Sequence, residues 1–267
     1  MGAGEPLGAF ERDGYAVYLS VIDADLVGEA RAHVDWLLAR HPGVRPEHLG
    51  HDLMTDDPFW VRLVADERLL DVAQLFVGPD IALFASHYIA KPPHDGQAVL
   101  WHQDAGYWPL DPMEVVTLWL ALDHSDRDNG CLRVVPGSHR GEVHGWRPRT
   151  DVANVLSSEI AADVDEAAAV DVVVPAGGVS VHHPAIVHGS DANRSARWRR
   201  GLTIRYIPAS TRILCGDGGG GAAGGGPAWP SAFLLRGRAV EGVNAYNPFP
   251  RWIEGRHMPF RGCEEWT

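Results

Sequence analysis

The chain has 267 residues, a formal net charge of −12, 45% hydrophobic and 22% charged residues. That is the make-up of a globular protein able to bury a real core, and its negative sign repels phosphate backbones, which argues against nucleic acid as a partner. No apolar run approaches the ~18 residues of a membrane span, and the N-terminus lacks a basic-then-apolar signal pattern, so a cytoplasmic protein with no membrane partner is expected.

Two amphipathic helices are expected early. Leu26, Val27, Ala30, Val34, Leu37 and Leu38 recur at helical spacing, with Asp23 as N-cap and Pro42 past the end. A second helical stretch runs from about Asp57 to Phe76, breaks near Asp66 and stops at Gly78-Pro79. The pattern then changes. Ile81–Ala90, Val99–Trp101, Val115–Leu122, Leu132–Val135, Asp171–Val174, Val179–His182 and Gly201–Ile207 are short and rich in β-branched and aromatic residues, with Pro, Gly, Asn and Asp clusters between them. Many short strands without intervening helices predict an antiparallel sandwich or barrel. One domain spanning 1–267 is expected: a helical part to about 80, a β core over about 81–208, and a variable tail over 209–267. The tail holds the low-complexity run Gly216–Gly226, read as a flexible loop and a candidate lid.

Fourteen histidines invite a metal hypothesis. Random placement of 14 histidines and 22 aspartates gives about one His-x-Asp triplet, and the chain has three. His33-Val34-Asp35 falls in the first helix, where i and i+2 point apart, so both side chains are expected in solvent. His124-Ser125-Asp126 sits in a polar turn and reads as loop chemistry. His102-Gln103-Asp104 follows an extended apolar segment, where i and i+2 can share a face. His188 lies 86 residues on, just before Gly189. Two imidazoles and one carboxylate that leave metal positions open are the ligand set of non-haem Fe(II) oxygenases. The odd, widely spaced cysteines Cys131, Cys215 and Cys263 fit free thiols, not a disulfide framework or thiolate zinc site. An oxygenase that uses 2-oxoglutarate also needs a cation for the remote carboxylate, and an arginine fork supplies it. Arg199, eleven residues after His188, competes for that role with Arg194, Arg197, Arg200 and Arg205.

Four ordered segments together resemble the phytanoyl-CoA dioxygenase family of Fe(II)/2-oxoglutarate oxygenases. They are Phe10–Tyr15 (FERDGY), Trp101–Pro109 (WHQDAGYWP), Gly130–His139 (GCLRVVPGSH), and His188-Gly189-Ser190 with Asn193 and Arg199. The resemblance covers about Phe10 to Pro208. It implies a mainly β fold with N-terminal helices, a double-stranded β-helix (jelly roll, cupin-like). It implies iron on His102, Asp104 and His188, the 2-oxoglutarate C5 carboxylate on Arg199, and cosubstrate contacts from Gln103, Trp119 and Ser190, with O2 as co-reactant. Lys91, the sole lysine beside 22 arginines, matches a family lysine that can approach a cosubstrate or substrate oxygen. His139 is expected to be structural, and His182 and His183 to pack beside the distal strand.

The expected activity is oxidation of a small secondary metabolite by hydroxylation, cyclisation, epimerisation or desaturation. Tyr88, Tyr107, Trp108, Phe249 and Trp252, placed near the mouth, suggest an apolar or polycyclic substrate. The competing class is a non-redox cupin-like isomerase or ligand-binding protein, which would need neither Arg199 nor succinate formation. A radical halogenase of the same fold would carry a small residue in place of Asp104.

Overall fold

The computed structural model describes residues 4–214 and 232–267. The glycine run at 216–226 therefore lies outside the described residues. The elements in chain order are α1 (Gly4–Asp13), β1 (Tyr15–Tyr18), α2 (Ala24–Arg40), α3 (Pro58–Val64), α4 (Glu67–Val77), β2 (Ile81–Tyr88), β3 (Val99–His102), β4 (Leu110–Asp111), β5 (Val116–Ala121), β6 (Leu132–Val134), β7 (Trp146–Pro148), β8 (Ser158–Ile160), β9 (Val170–Val172), β10 (Val179–His182), β11 (His188–Ser190), β12 (Gly201–Pro208), β13 (Arg212–Ile213) and β14 (Phe233–Arg236). The helix ends follow their caps. Asp23 accepts from the Leu26 N–H at 2.8 Å, Asp57 caps α3, and Asp66 caps α4 after the break. Gly78, at φ 80°, closes α4.

The described residues gather into two compact units that interleave along the chain. The first comprises Met1–Leu49, His87–Tyr107 and Thr117–Thr203. In it, one sheet runs β1-β10-β5-β12 and a second runs β3-β11-β6-β9. β1 pairs antiparallel with β10, and β10 with β5. The inner faces of these sheets meet in a core of Trp119, Ala121, Leu132, Val134, Val172, Val174 and Ile186, with Tyr15 and Val17 against it. Two antiparallel sheets enclosing such a core are the expected jelly roll.

The second unit comprises Gly50–Ser86, Trp108–Val116 and Ile204–Thr267. In it β14 pairs antiparallel with β2, and β4 with β13. Its core includes Ala82, Phe84, Leu110, Val115 and Ile207, with Trp108 and Tyr246 against it. His51 is 6% exposed and accepts from the Ser86 N–H through Nδ1. Burial, and then the Arg205 cation, push its pKa from 6.5 down to about 4. The unfolded chain therefore binds the proton first. The stabilisation is complete above pH 6.5 and is lost as pH falls through 4, a change on the order of 3 kcal/mol. Urea unfolding across pH 7 to 4 should show this slope in the wild type and a flatter one in His51→Gln.

Two sequence expectations are corrected. His33 is fully buried, because its Nδ1 lies 2.9 Å from the Tyr88 hydroxyl and its ring packs between Trp36 and Tyr88. Tyr88 is accordingly a core residue, not one at the mouth. Asp35 does lie in solvent. His124 and Asp126 sit in the expected turn, where Asp126 and Asn129 form a capping box.

Candidate metal centre

His102 ends β3 and His188 opens β11, and the two strands are antiparallel neighbours with His188 opposite His102. This register brings the imidazole centroids to 4.0 Å. Each ring is oriented by its own backbone: His102 Nδ1 lies 2.8 Å from the Leu100 carbonyl, and His188 Nδ1 lies 2.9 Å from that of Ile186. An Nδ1–H donated to a carbonyl fixes the tautomer in which Nε2 presents a lone pair. Asp104 begins the 3-10 turn after β3 and sets Oδ1 3.6 Å from His102 Nε2. Among the described residues, His102, Asp104 and His188 form the one cluster of three whose ligand atoms all lie within 4.8 Å of one another, and all three are buried.

The other carboxylate oxygen is held from β5 and β10. Thr117 Oγ1 donates to Asp104 Oδ2 at 3.4 Å, and His182 Nε2 lies 3.7 Å from the same atom. Thr117 and His182 are cross-strand partners, so the β5–β10 register delivers both. Oδ1 is thereby the oxygen directed toward the histidines. Burial, followed by the neighbouring His102, holds His188 well below the ordinary imidazole range, so it is neutral, as a ligand must be. Cys131 is no competing ligand, since burial pushes its thiol up to about 11. Neutral nitrogens plus one carboxylate, with no thiolate, fit Fe(II).

A second cluster lies along β11. Ser190 is two residues from His188, on the same strand face and roughly 6.5–7 Å along it. The Lys91 ammonium donates to Ser190 Oγ at 2.7 Å and to the Asp191 carbonyl at 2.6 Å. Lys91 and Arg199 exchange both backbone hydrogen bonds, so the two cations are neighbours. Arg199, 2% exposed, donates to the Gly130 and Ile89 carbonyls and lies over the Trp119 ring at 4.8 Å. Burial lowers Arg199 to about 10, which leaves it charged at neutral pH. Lys91, 0% exposed, is held well below its usual range by burial and by Arg199. Glu47, a buried carboxylate that acts on both, is itself bonded to Arg45 and to the Gln97 N–H. With Arg199 charged and Lys91 and Ser190 adding N–H and O–H groups beside it, this cluster is suited to an anion.

The rival arginines are engaged elsewhere. Arg197 pairs with Asp126, Arg200 with Asp123, and Arg194 reaches the His94 carbonyl. Arg205 lies over Trp108 in the second unit. The expectation for Gln103 is revised. Its amide is committed to backbone, donating to the Glu142 and Ala185 carbonyls and accepting from the His144 N–H. His139 is structural as expected, with Nε2 against the Glu11 carbonyl and its ring on His183.

Sequence reasoning missed Thr117 and Gly201. Thr117 alternates with Trp119 on β5, which was a usable signal. Gly201 gave none, because its role depends on a contact across the core. A Cβ there would fall 2.1 Å from Trp119 Cζ2. Gly201→Ala should therefore displace the ring beneath Arg199. We expect a loss of about 1–3 kcal/mol in stability, together with weaker 2-oxoglutarate retention, read by thermal unfolding with and without 2-oxoglutarate.

The family model described as phytanoyl-CoA dioxygenase matches residues 10–201. The chain belongs to the phytanoyl-CoA dioxygenase family. Over 157 residues it is 31% identical to the peroxisomal phytanoyl-CoA dioxygenase of Bos taurus, a match covering 57% of this chain and 47% of that protein. It is 34% identical over 160 residues to a "probable alpha-ketoglutarate-dependent hypophosphite dioxygenase" of Stutzerimonas stutzeri, covering 58% and 55%. The matched region thus spans about half the length of these curated relatives. Among solved structures, the non-heme monooxygenase ThoJ in its apo form superposes with a TM-score of 0.74 at 27% identity, covering 91% of this chain and 87% of that one. The family match includes His102, Asp104, His188 and Arg199. Among the described residues, no helix is long and apolar enough to cross a membrane.

Proposed function

We propose that the chain is a non-haem Fe(II)- and 2-oxoglutarate-dependent oxygenase acting on a small, apolar or polycyclic organic molecule. The observation that carries this is the adjacency, on one face of β11, of the His102–Asp104–His188 cluster and the Lys91–Ser190–Arg199 cationic cluster. In this reading a five-carbon dicarboxylate bridges the two clusters, with its keto-acid end at His102, Asp104 and His188 and its far carboxylate at Arg199, because Ser190 follows His188 by only two residues on β11.

The chemistry that bound iron supplies is dioxygen activation: substrate R–H, O2 and 2-oxoglutarate become R–OH, succinate and CO2. The residues of the chain do the rest. His102 and His188 offer Nε2 because backbone carbonyls hold Nδ1. Thr117 donates to Oδ2 of Asp104, which orients the carboxylate so that Oδ1 serves as ligand. Arg199, over the Trp119 ring and tied to two carbonyls, is preorganised for a carboxylate. Ser190 and Lys91 add donors beside it. Gln103 keeps the 142–144 strap on the 185 loop. Cytoplasmic location fits a reducing compartment that keeps both iron and Cys131 reduced.

The test is succinate release from 2-oxoglutarate under air, with Fe(II) and ascorbate, across a panel of apolar polycyclic metabolites. Stimulation by at least one substrate, abolished by a chelator and restored by Fe(II), is expected. Isomerised or unchanged substrate without succinate would favour the non-redox class.

A further inference from the structure

Trp146 stands out in the first unit because burial does not account for it. It is 45% exposed on β7, a strand whose residues all face solvent. An exposed indole contributes little to folding, yet the surroundings fix it firmly. β7 pairs with β8, placing Trp146 opposite the buried Ile160. Arg147 and Arg149 both bind Glu159 at 2.6 and 2.5 Å, which staples the hairpin. Upstream, Gln103, the residue between two metal ligands, clamps the 142–144 strap that leads into β7.

The indole is stacked on Tyr107, with centroids 5.8 Å apart and planes 10° from parallel. Tyr107 is pinned in turn, its hydroxyl 2.9 Å from Ser158 Oγ on β8. The Tyr107 ring meets His102 edge-on at 6.3 Å. A line of rings therefore runs from the His102 imidazole out to solvent, and its two outer members are stacked in nearly parallel planes. Offset parallel rings extend favourably by one more π-face, whereas a saturated ring gains only area.

We infer that the Tyr107–Trp146 pair is the substrate-recognition platform of this centre, and that it selects a planar conjugated ring system. The inference rests on the oxygenase reading above and specifies which substrates that site takes. Tyr107 sets the distance of the stacked ring from the metal ligands, and Trp146 provides the open face on which it lies. Both groups are positioned before substrate arrives, so little is lost to side-chain ordering on binding.

Equilibrium dialysis with 2-naphthol and decahydro-2-naphthol, two alcohols on the same carbon skeleton, tests this. The protein is kept anaerobic with Fe(II) and 2-oxoglutarate, and retention of 2-oxoglutarate is read in the same samples. Tighter retention of 2-naphthol is expected, by about tenfold. Trp146→Ala should abolish the preference, Trp146→Phe should keep most of it, and Trp146→Leu, which keeps apolar bulk without a π-face, should not. Because Trp146 lies on an exposed hairpin, these variants are expected to fold, which circular dichroism checks. Equal retention of the two alcohols, or Leu matching Phe, would overturn the platform while 2-oxoglutarate retention stands. Failure to retain 2-oxoglutarate in every sample would instead overturn the oxygenase reading, and the substrate role with it.

Discussion

Asp104→Ala should abolish stoichiometric Fe(II) binding and leave no succinate formation above background. The side chain is the single carboxylate of a three-residue cluster with all ligand atoms within 4.8 Å. Removing it leaves two neutral imidazoles, and no further metal-binding cluster among the described residues can substitute. The open positions that cosubstrate and dioxygen need leave no redundancy among the protein ligands. A drop of at least about a thousandfold in turnover is expected, as for loss of a group that acts as part of one unit. His102→Ala and His188→Ala should behave alike. The structural cost is separable. Asp104 also accepts from Thr117, so Asp104→Asn, which keeps an oxygen for Thr117 but removes the charge, should melt closer to the wild type and still lack iron. Metal content after anaerobic loading and desalting reads this directly, and a fully active Asp104→Ala protein would place the metal elsewhere.

Arg199→Ala should weaken 2-oxoglutarate binding by about 10- to 150-fold, the loss of a charge-assisted contact worth roughly 1.5–3 kcal/mol. Arg197→Ala and Arg200→Ala should not, because those side chains are spent on Asp126 and Asp123. Arg199 also donates to the Gly130 and Ile89 carbonyls, so some stability is lost as well. Arg199→Lys separates the two effects: it restores charge but not the fork, and should recover only part of the cosubstrate affinity. Titrations of initial rate against 2-oxoglutarate for the four variants give the comparison. A large effect at Arg197 or Arg200 with none at Arg199 would refute the assignment.

What the sequence revealed depended on whether the signal was local. α2 begins after its Asp23 cap, α4 begins after Asp66, and β10 spans Val179–His182 as read, because caps and alternating β-branched residues act within a few positions. β11 is three residues with a glycine in the middle, too short for any period to register, although it carries His188, the distal candidate ligand. α1 and β1 fell in a stretch read only as a family opening, and β1 owes its existence to pairing with β10, a long-range contact. His33 was placed in solvent because i and i+2 on a helix point apart, which rules out a shared site with Asp35 but says nothing of burial, and a tyrosine 55 positions away covers it. The candidate metal ligands were legible because His102 and Asp104 stand two residues apart after an extended apolar segment, although Asp104 itself begins the turn that follows β3. Arg199 stood apart from its rivals only once their own partners were in place: Asp126 for Arg197, Asp123 for Arg200, the His94 carbonyl for Arg194 and the Trp108 ring for Arg205. Gln103 was assigned from the family resemblance, and its backbone clamp became visible only in three dimensions.

The most direct test is anaerobic titration of 2-oxoglutarate into the protein with and without Fe(II), followed by calorimetry. If His102, Asp104 and His188 hold iron beside the Lys91–Ser190–Arg199 cluster, one equivalent of 2-oxoglutarate should bind tightly with iron, far more weakly without it, and not measurably to Asp104→Ala under either condition. Equal affinity with and without Fe(II), or unaltered iron-dependent binding to Asp104→Ala, would contradict a shared iron and cosubstrate centre.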